Sequence, residues 1–368
     1  MPIGSFDPLC ENINMRALNA GLLAPLLIAC GSEGPPPPSD ADSDADEIDL
    51  THEFPTVDVG AGDERVDECW SWTLGNEEML YVSAVHVQVE GGIHHSNWTF
   101  SPDDLWRADD GVWQCSDHEF NTAIAAGYGG VLYAQSTQVD EETQQFPPGF
   151  ALPIPPRSRI VGDVHILNNG DETLPTTITM ELVTIPEEEV EVFLAGMALD
   201  YKALRILPHQ RSEFTTTCDL RDTHERIVER PIDFRLHWVL PHYHGLGDLF
   251  RMEVAGGPED GRVVYEISAG IGDPLGGLVD PPVDLTGADG VRITCGYTNP
   301  RDVEVGYGIG DQEMCSGLGF TDAPMMFSGS VGEVDGTPPE PVSDVDGVAR
   351  FEGECSVFGY PASWTEVE

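Results

Sequence analysis

From about residue 51 onward the chain alternates short apolar-rich runs with polar punctuation. Tyr81 to Val87, Thr176 to Ile185, Phe234 to Leu240, Arg262 to Ile267 and Val291 to Thr294 are rich in Val, Ile, Thr and aromatic residues, and Gly, Asp or Pro separates them. That composition suits a pleated, half-buried surface, so each run predicts a β-strand. Residues 160–168 predict a further, buried one. Regularly spaced strands with turn residues between them predict sandwiches. No short fixed period is visible, which argues against solenoids and propellers. The 368 residues suffice for two ordinary domains. A break falls at Leu194-Ala195-Gly196-Met197, giving an N-terminal domain over 51–194 and a C-terminal domain over 195–368.

Ahead of the strands the pattern changes. Met15-Arg16 precedes an apolar run, Ala17 to Ala29, too short to span a bilayer and of the length of a signal-peptide core. Its end, Leu27-Ile28-Ala29-Cys30, resembles the lipobox of bacterial lipoproteins. The resemblance implies a lipid anchor at Cys30 as the sole membrane attachment, in the periplasm or at the outer membrane. Residues 1–14 carry Asp7 and Glu11 and no basic cluster, so translation is expected to start at Met15, with 1–30 as the leader. Residues 31–50 hold four consecutive prolines and an Asp-rich run. Such a segment cannot bury a core and predicts an extended, disordered tether.

Composition narrows the function. The 40 Gly and 29 Pro fit an all-β chain rich in turns. The formal charge is −48, from 65 acidic against 17 basic residues, which argues against nucleic-acid binding. Of eight cysteines, removing Cys10 and Cys30 leaves six: Cys69, Cys115, Cys218, Cys295, Cys315 and Cys355. An even number in an exported chain predicts disulfides, with fifteen pairings open. No C-x-x-C pair exists, so neither a zinc ribbon nor a thioredoxin-like motif is supported.

Against that background a few residues carry candidate chemistry. His242 and His244 follow a predicted strand, where residues i and i+2 share a face and two imidazoles can close on one metal. Spacing alone fits ordinary core or surface histidines equally well. His94 and His95 are neighbours, and neighbours in a strand point to opposite faces. They can share a metal only at a strand end or bulge, which Gly91-Gly92 and Ser96-Asn97 can supply. His165 sits in a buried-looking strand, where a hydrogen-bonded core histidine is the ordinary reading. Met314 most often would fill a core gap. As a ligand, its thioether suits Cu(I) far better than Zn²⁺.

Taken in order, these pieces resemble the copper type II, ascorbate-dependent monooxygenases, the family of the peptidylglycine-hydroxylating enzymes and dopamine β-monooxygenase. The resemblance runs from about Cys69 to Phe320. Gly92-Ile93-His94-His95 resembles the His-His copper motif. Phe146-Pro147-Pro148-Gly149-Phe150 and then Val164-His165 resemble the Pro-Gly segment and third histidine. Leu194 to Met197 resembles the domain junction. His242-Tyr243-His244-Gly245 resembles the second-copper motif, and Cys295 with Glu313-Met314-Cys315 resembles its Cys…Glu-Met-Cys segment.

The resemblance implies two consecutive jelly-roll-like β-sandwiches, each with one copper. His94, His95 and His165 would hold the electron-storing ion. His242, His244 and Met314 would hold the ion at which O₂ attacks a substrate C–H bond, and ascorbate or a similar reductant would reload both. It also implies bridges Cys69–Cys115, Cys295–Cys315 and, less directly, Cys218–Cys355. Asp163 is a hydrogen-bonding candidate beside His165, and His237 is read as structural. The peptide enzymes place an Arg where Leu240 stands, and an Asn and a Tyr where Ser316 and Leu318 stand. Little peptide-amidating activity is therefore expected. The substrate is expected to be another small organic molecule, and the protein to be a monomer. Competing readings are a periplasmic copper-binding or electron-transfer lipoprotein using the same ligands, a zinc hydrolase on the three-histidine set, and a structural lipoprotein. Met314 argues against zinc.

Overall fold

A computed structural model of the protein describes residues 48–135, 139–268, 275–332 and 339–365. The leader, the start at Met15, the anchor at Cys30 and nearly all of the tether lie outside the described residues. The strand Ile48–Glu53 takes over the last three residues assigned to the tether. It does so because residues 48–53 pair antiparallel with residues 179–184, which satisfies their backbone groups.

The described chain forms two consecutive jelly-roll-like β-sandwiches. In the first, a seven-stranded sheet built on Leu80–Glu90 and Leu174–Thr184 packs on a five-stranded sheet. The latter runs, in spatial order, Gly111–Gln114, Glu64–Thr73, Ser158–Leu167, His95–Pro102, Gly130–Ala134. Trp70, Trp98, Val85 and Ile160 fill the space between them. In the second, one six-stranded sheet runs Gly277–Asp284, Arg235–His242, Ser316–Thr321, Ala195–Tyr201, Met325–Val331, Ser356–Pro361. It packs on another sheet built on Gln210–Asp219, Gly247–Ala255 and Gly290–Asn299, with Phe214, Phe250 and Tyr297 between. Leu194 belongs to the first core and Met197 to the second, so the chain crosses between sandwiches within those few residues.

The two sandwiches are not separate bodies, since the described residues fall in one compact unit. The five-stranded sheet of the first faces the first-named sheet of the second. Trp238, Leu240 and Phe320 from the second sandwich join the first sandwich's core cluster. Phe146 lies edge-on to both Trp238 and Phe320, at 6.1 and 5.2 Å between ring centroids. Leu240, which stands where the peptide enzymes place an Arg, is thus a buried member of this apolar seam.

A bulge explains how one strand serves two cores. The pairing of Arg235–His242 with both neighbours shifts register between Leu236 and Trp238. One inserted residue flips every later side chain to the other face. Leu236 therefore points into the second core, whereas Trp238, Leu240 and His242 turn toward the first sandwich. The inserted residue is His237, buried, with Nε2 3.1 Å from Asp322 and its ring 4.9 Å from Phe150 of the first sandwich.

Three disulfides are present, Cys69–Cys115, Cys218–Cys355 and Cys295–Cys315. They are the pairs the family resemblance implies. Each closes a loop in the unfolded chain, a constraint typically contributing about 2–4 kcal/mol.

Candidate metal centre

His95 and His165 are direct cross-strand partners at the ends of His95–Pro102 and Ser158–Leu167. Their rings lie 4.2 Å apart. Ser158–Leu167 shifts register against Glu64–Thr73 between Val164 and Ile166, so a bulge frames His165 as well. His94 stands just before the strand begins, and its N–H donates to the His165 carbonyl at 2.9 Å. Gly91 adopts φ 119° and a side chain at Gly92 would run into the Leu167 carbonyl, so the turn before His94 needs both glycines. This is how two adjacent histidines come to serve one site.

His242 ends its strand, and His244 lies beyond it rather than within it. Two groups that sequence patterning missed hold His244 in place. The Gln312 carbonyl lies 2.8 Å from His244 Nδ1, so Nδ1 donates and Nε2 keeps its lone pair for a ligand. The buried Glu313 carboxylate accepts from His244 N at 2.8 Å and Leu246 N at 2.6 Å. Met314 follows directly. Its carbonyl accepts from Tyr297 Oη at 2.5 Å, and the next residue is bridged to Cys295. Burial pushes Glu313 up to about 7, against the pull of the N–H groups it accepts.

The two histidine sets meet. His94 lies 4.8 Å from His244 and His95 4.6 Å from His242, between ring centroids. Two triads can close on a cation, His94–His95–His165 and His95–His242–His244, with the ligand atoms of each within 4.8 Å of one another. His95 belongs to both. The sets come from different sandwiches yet converge between them, and Met314 lines the same cavity as His95, His165 and His242.

The donors suit a metal. His94 Nδ1, His95 Nδ1, His165 Nδ1 and His244 Nε2 are buried with no hydrogen-bond partner in the protein. Unpartnered buried nitrogens are costly, and a cation satisfies them together. Burial holds His94 down to about 4, helped by the His244 and His165 imidazoles. Burial and then its four histidine neighbours hold His95 well below the ordinary value, and burial lowers His244 too. These imidazoles are neutral at pH 7, the form that ligates. Imidazoles with one thioether nearby suit copper among the first-row metals. Asp163 Oδ1 lies 3.5 Å from His165 Nε2, the side away from the unpartnered nitrogen.

Beside the histidines a cavity of about 570 Å³ opens between the facing sheets. Ser316 and Leu318 line it, as do Asp200 and Lys202, which sequence patterning had not singled out. Ser316 Oγ donates to Asp200 at 2.7 Å, and Lys202 Nζ sits 3.4 Å from the same carboxylate.

No family model matches the chain. No curated protein matches it either. Among solved structures it is similar to the major capsid protein P2 from bacteriophage PM2, at 10% identity over 75% of this chain and 97% of that one, with a TM-score of 0.30. PBCV-1 VP54, fitted into a reconstruction of the virophage Sputnik, is 8% identical over 74% of this chain and 93% of its own, TM-score 0.25. The PBSX exported protein XepA is 9% identical over 74% and 86%, TM-score 0.19. At these scores none of the three bears on what the chain does.

Proposed function

We propose that the protein is an exported two-copper monooxygenase of the ascorbate-dependent type, hydroxylating a C–H bond of a small organic substrate bound between its sandwiches. The observation that carries this reading is the convergence of five buried imidazoles from two sandwiches at a cavity that Met314 also lines. His94, His95 and His165 would hold one copper, and His242, His244 and Met314 the other. Copper, when bound, supplies the one-electron redox chemistry by which O₂ is reduced. The net reaction converts R–H, O₂, two electrons and two protons into R–OH and water, with ascorbate giving both electrons.

The chain's own residues do the positioning. Gln312 fixes the His244 ring through Nδ1, Glu313 fixes its backbone, and Asp163 lies against the outer edge of His165. The Trp238–Leu240–Phe320 seam closes one side of the centre to water. The cavity favours an oxygenase over an electron carrier, which needs no room for a substrate. Disulfides fit the exported, Cys30-anchored location that the leader suggests.

The test is copper analysis of the purified protein with oxygen uptake driven by ascorbate. About two coppers per chain are expected from two sets of three ligands. Zinc in their place overturns the reading. Met314→Ile should abolish oxygen uptake and leave the three-histidine copper loaded; survival of oxygen chemistry in that variant removes Met314 from the ligand set. Oxygen uptake absent from a fully copper-loaded protein favours copper storage or electron transfer.

A further inference from the structure

The cavity floor is the outward face of the second sandwich's first sheet, and its residues fall in rows across the strands. Register places His242, Ser316, Asp200, Ser330 and Ser356 in one row. The next row is Leu240, Leu318, Ala198, Ser328 and Phe358. A polar row thus runs beside a more apolar one, from the histidines to the rim. Five strands make four spacings of about 4.8 Å, so the rows extend roughly 19 Å. Side chains in the middle of the floor are small: Ala198, Ser328, Ser330. Facing sheets normally close on large side chains about 10 Å apart. With Ser316 on the strand beside Ala198, small side chains span three adjacent strands and leave a flat slot. At its far end Phe358 and Tyr360, 61% and 42% exposed, form an apolar rim.

Two carboxylates against one ammonium line the slot, which disfavours an anionic ligand. Asp200 is held by Ser316 and Lys202, which occupies the one lysine there. No arginine lines the slot among the described residues, and Asp163 adds a carboxylate near the histidines. A chain of net charge −48 also repels anions.

Building on the proposed monooxygenase, we infer that its substrate is an elongated polycyclic alcohol bearing no negative charge, with hydroxyls on one side of the ring system and apolar surface on the other. The hydroxyl side lies along Ser316, Asp200 and Ser330. The apolar side lies on Leu318, Ala198 and Phe358. One end of the molecule reaches the histidines, where its C–H bond breaks, a C–O bond forms, and the second oxygen atom leaves as water.

The test is equilibrium binding, by calorimetry, of four probes to the copper-loaded full chain. Methyl cholate is uncharged, fused-ring and hydroxylated on one face, and should bind. Methyl cholanate, which lacks the hydroxyls, should bind at least about tenfold more weakly through three lost hydrogen bonds. Cholate, the same shape with a carboxylate, should bind more weakly than its ester. Maltotriose should not compete. Ala198→Phe, which fills the floor, and Ser330→Leu, which removes the polar row's far end, should each weaken methyl cholate binding at unchanged copper content. Either variant suffices should the other not fold. Absence of methyl cholate binding, equal binding of cholate or methyl cholanate, or tighter binding of maltotriose overturns the inference. So does unchanged binding in a folded variant. Probe binding without ascorbate-driven oxygen uptake overturns the monooxygenase reading and leaves the slot's chemistry standing. Oxygen uptake without probe binding overturns the substrate class alone.

Discussion

Glu313 shows how much one buried carboxylate can organise. It ties the loop that carries His244 to the segment that carries Met314, through N–H groups of His244 and Leu246. Glu313→Ala should leave the buried His244 N–H and the part-buried Leu246 N–H without their acceptor and cost about 2–4 kcal/mol. Chemical denaturation measures that loss, and copper analysis should show the His242–His244–Met314 copper depleted with the three-histidine copper retained. Equal depletion of both would mean that Glu313 supports the fold at large. The sequence displays Glu313 beside Met314, yet its partners lie 67 and 69 residues away, so no local pattern discloses its role. Leu240 teaches the converse. As a sequence position it reads as a missing substrate contact, whereas burial makes it part of the inter-sandwich seam. The residues facing the cavity at that level are Leu318 and Ala198.

At the scale of single strands, alternation predicts that a strand exists more securely than which way it faces. The run from Phe234 to Leu240 reads as a strand, and Arg235–His242 is one. Its bulge is invisible to alternation, because Leu236, Trp238 and Leu240 look like one continuous apolar face. The shift at His237 splits them between two cores. Deleting His237 should restore regular pairing and still leave Trp238, Leu240 and His242 facing the first sandwich, because Leu236 and Trp238 then alternate as direct neighbours. The expected outcome is a lower melting temperature, from loss of the buried His237 contacts with Asp322 and Phe150, with the His242–His244 copper retained; loss of that copper would show that the bulge positions these histidines beyond setting their face. The break at Gly91-Gly92 is legible beforehand, since paired glycines next to adjacent histidines mark a turn. That the turn delivers His94 to His165 follows only from strand pairing, which is non-local.

For the whole molecule, the all-β class is legible and the presence of disulfides is too, whereas their pairing follows only from the family resemblance and the meeting of the two histidine sets is not legible at all. Two domains with one ligand set each suggest two distant sites. Convergence depends on the apolar seam that docks the sandwiches, and seam residues look like ordinary core residues in sequence. Folding also buries neutral histidines, with consequences for pH. In the metal-free protein, burial lowers His94, His95, His224 and His244 below their unfolded values near 6.5. Each binds more protons unfolded than folded once pH drops below 6.5, so each favours unfolding there. Glu313, raised to about 7 from 4.5, has the opposite sign between those values. Four histidines outweigh one carboxylate, so the melting temperature of the metal-free protein should fall as pH is lowered from 6.5 to 5. A flat profile over that range would show that these imidazoles are not held neutral.

The outer strands of the slot floor, Met325–Val331 and Ser356–Pro361, follow Met314 in the chain, and the bridge from Cys218 reaches forward to Cys355. A chain emerging from its amino end therefore has all six proposed ligands out before three of the five strands lining the slot, Ser316–Thr321 included, have been made. Metal capture can precede substrate binding during biogenesis, and a copper-loaded chain remains without a finished slot until its last strands pair.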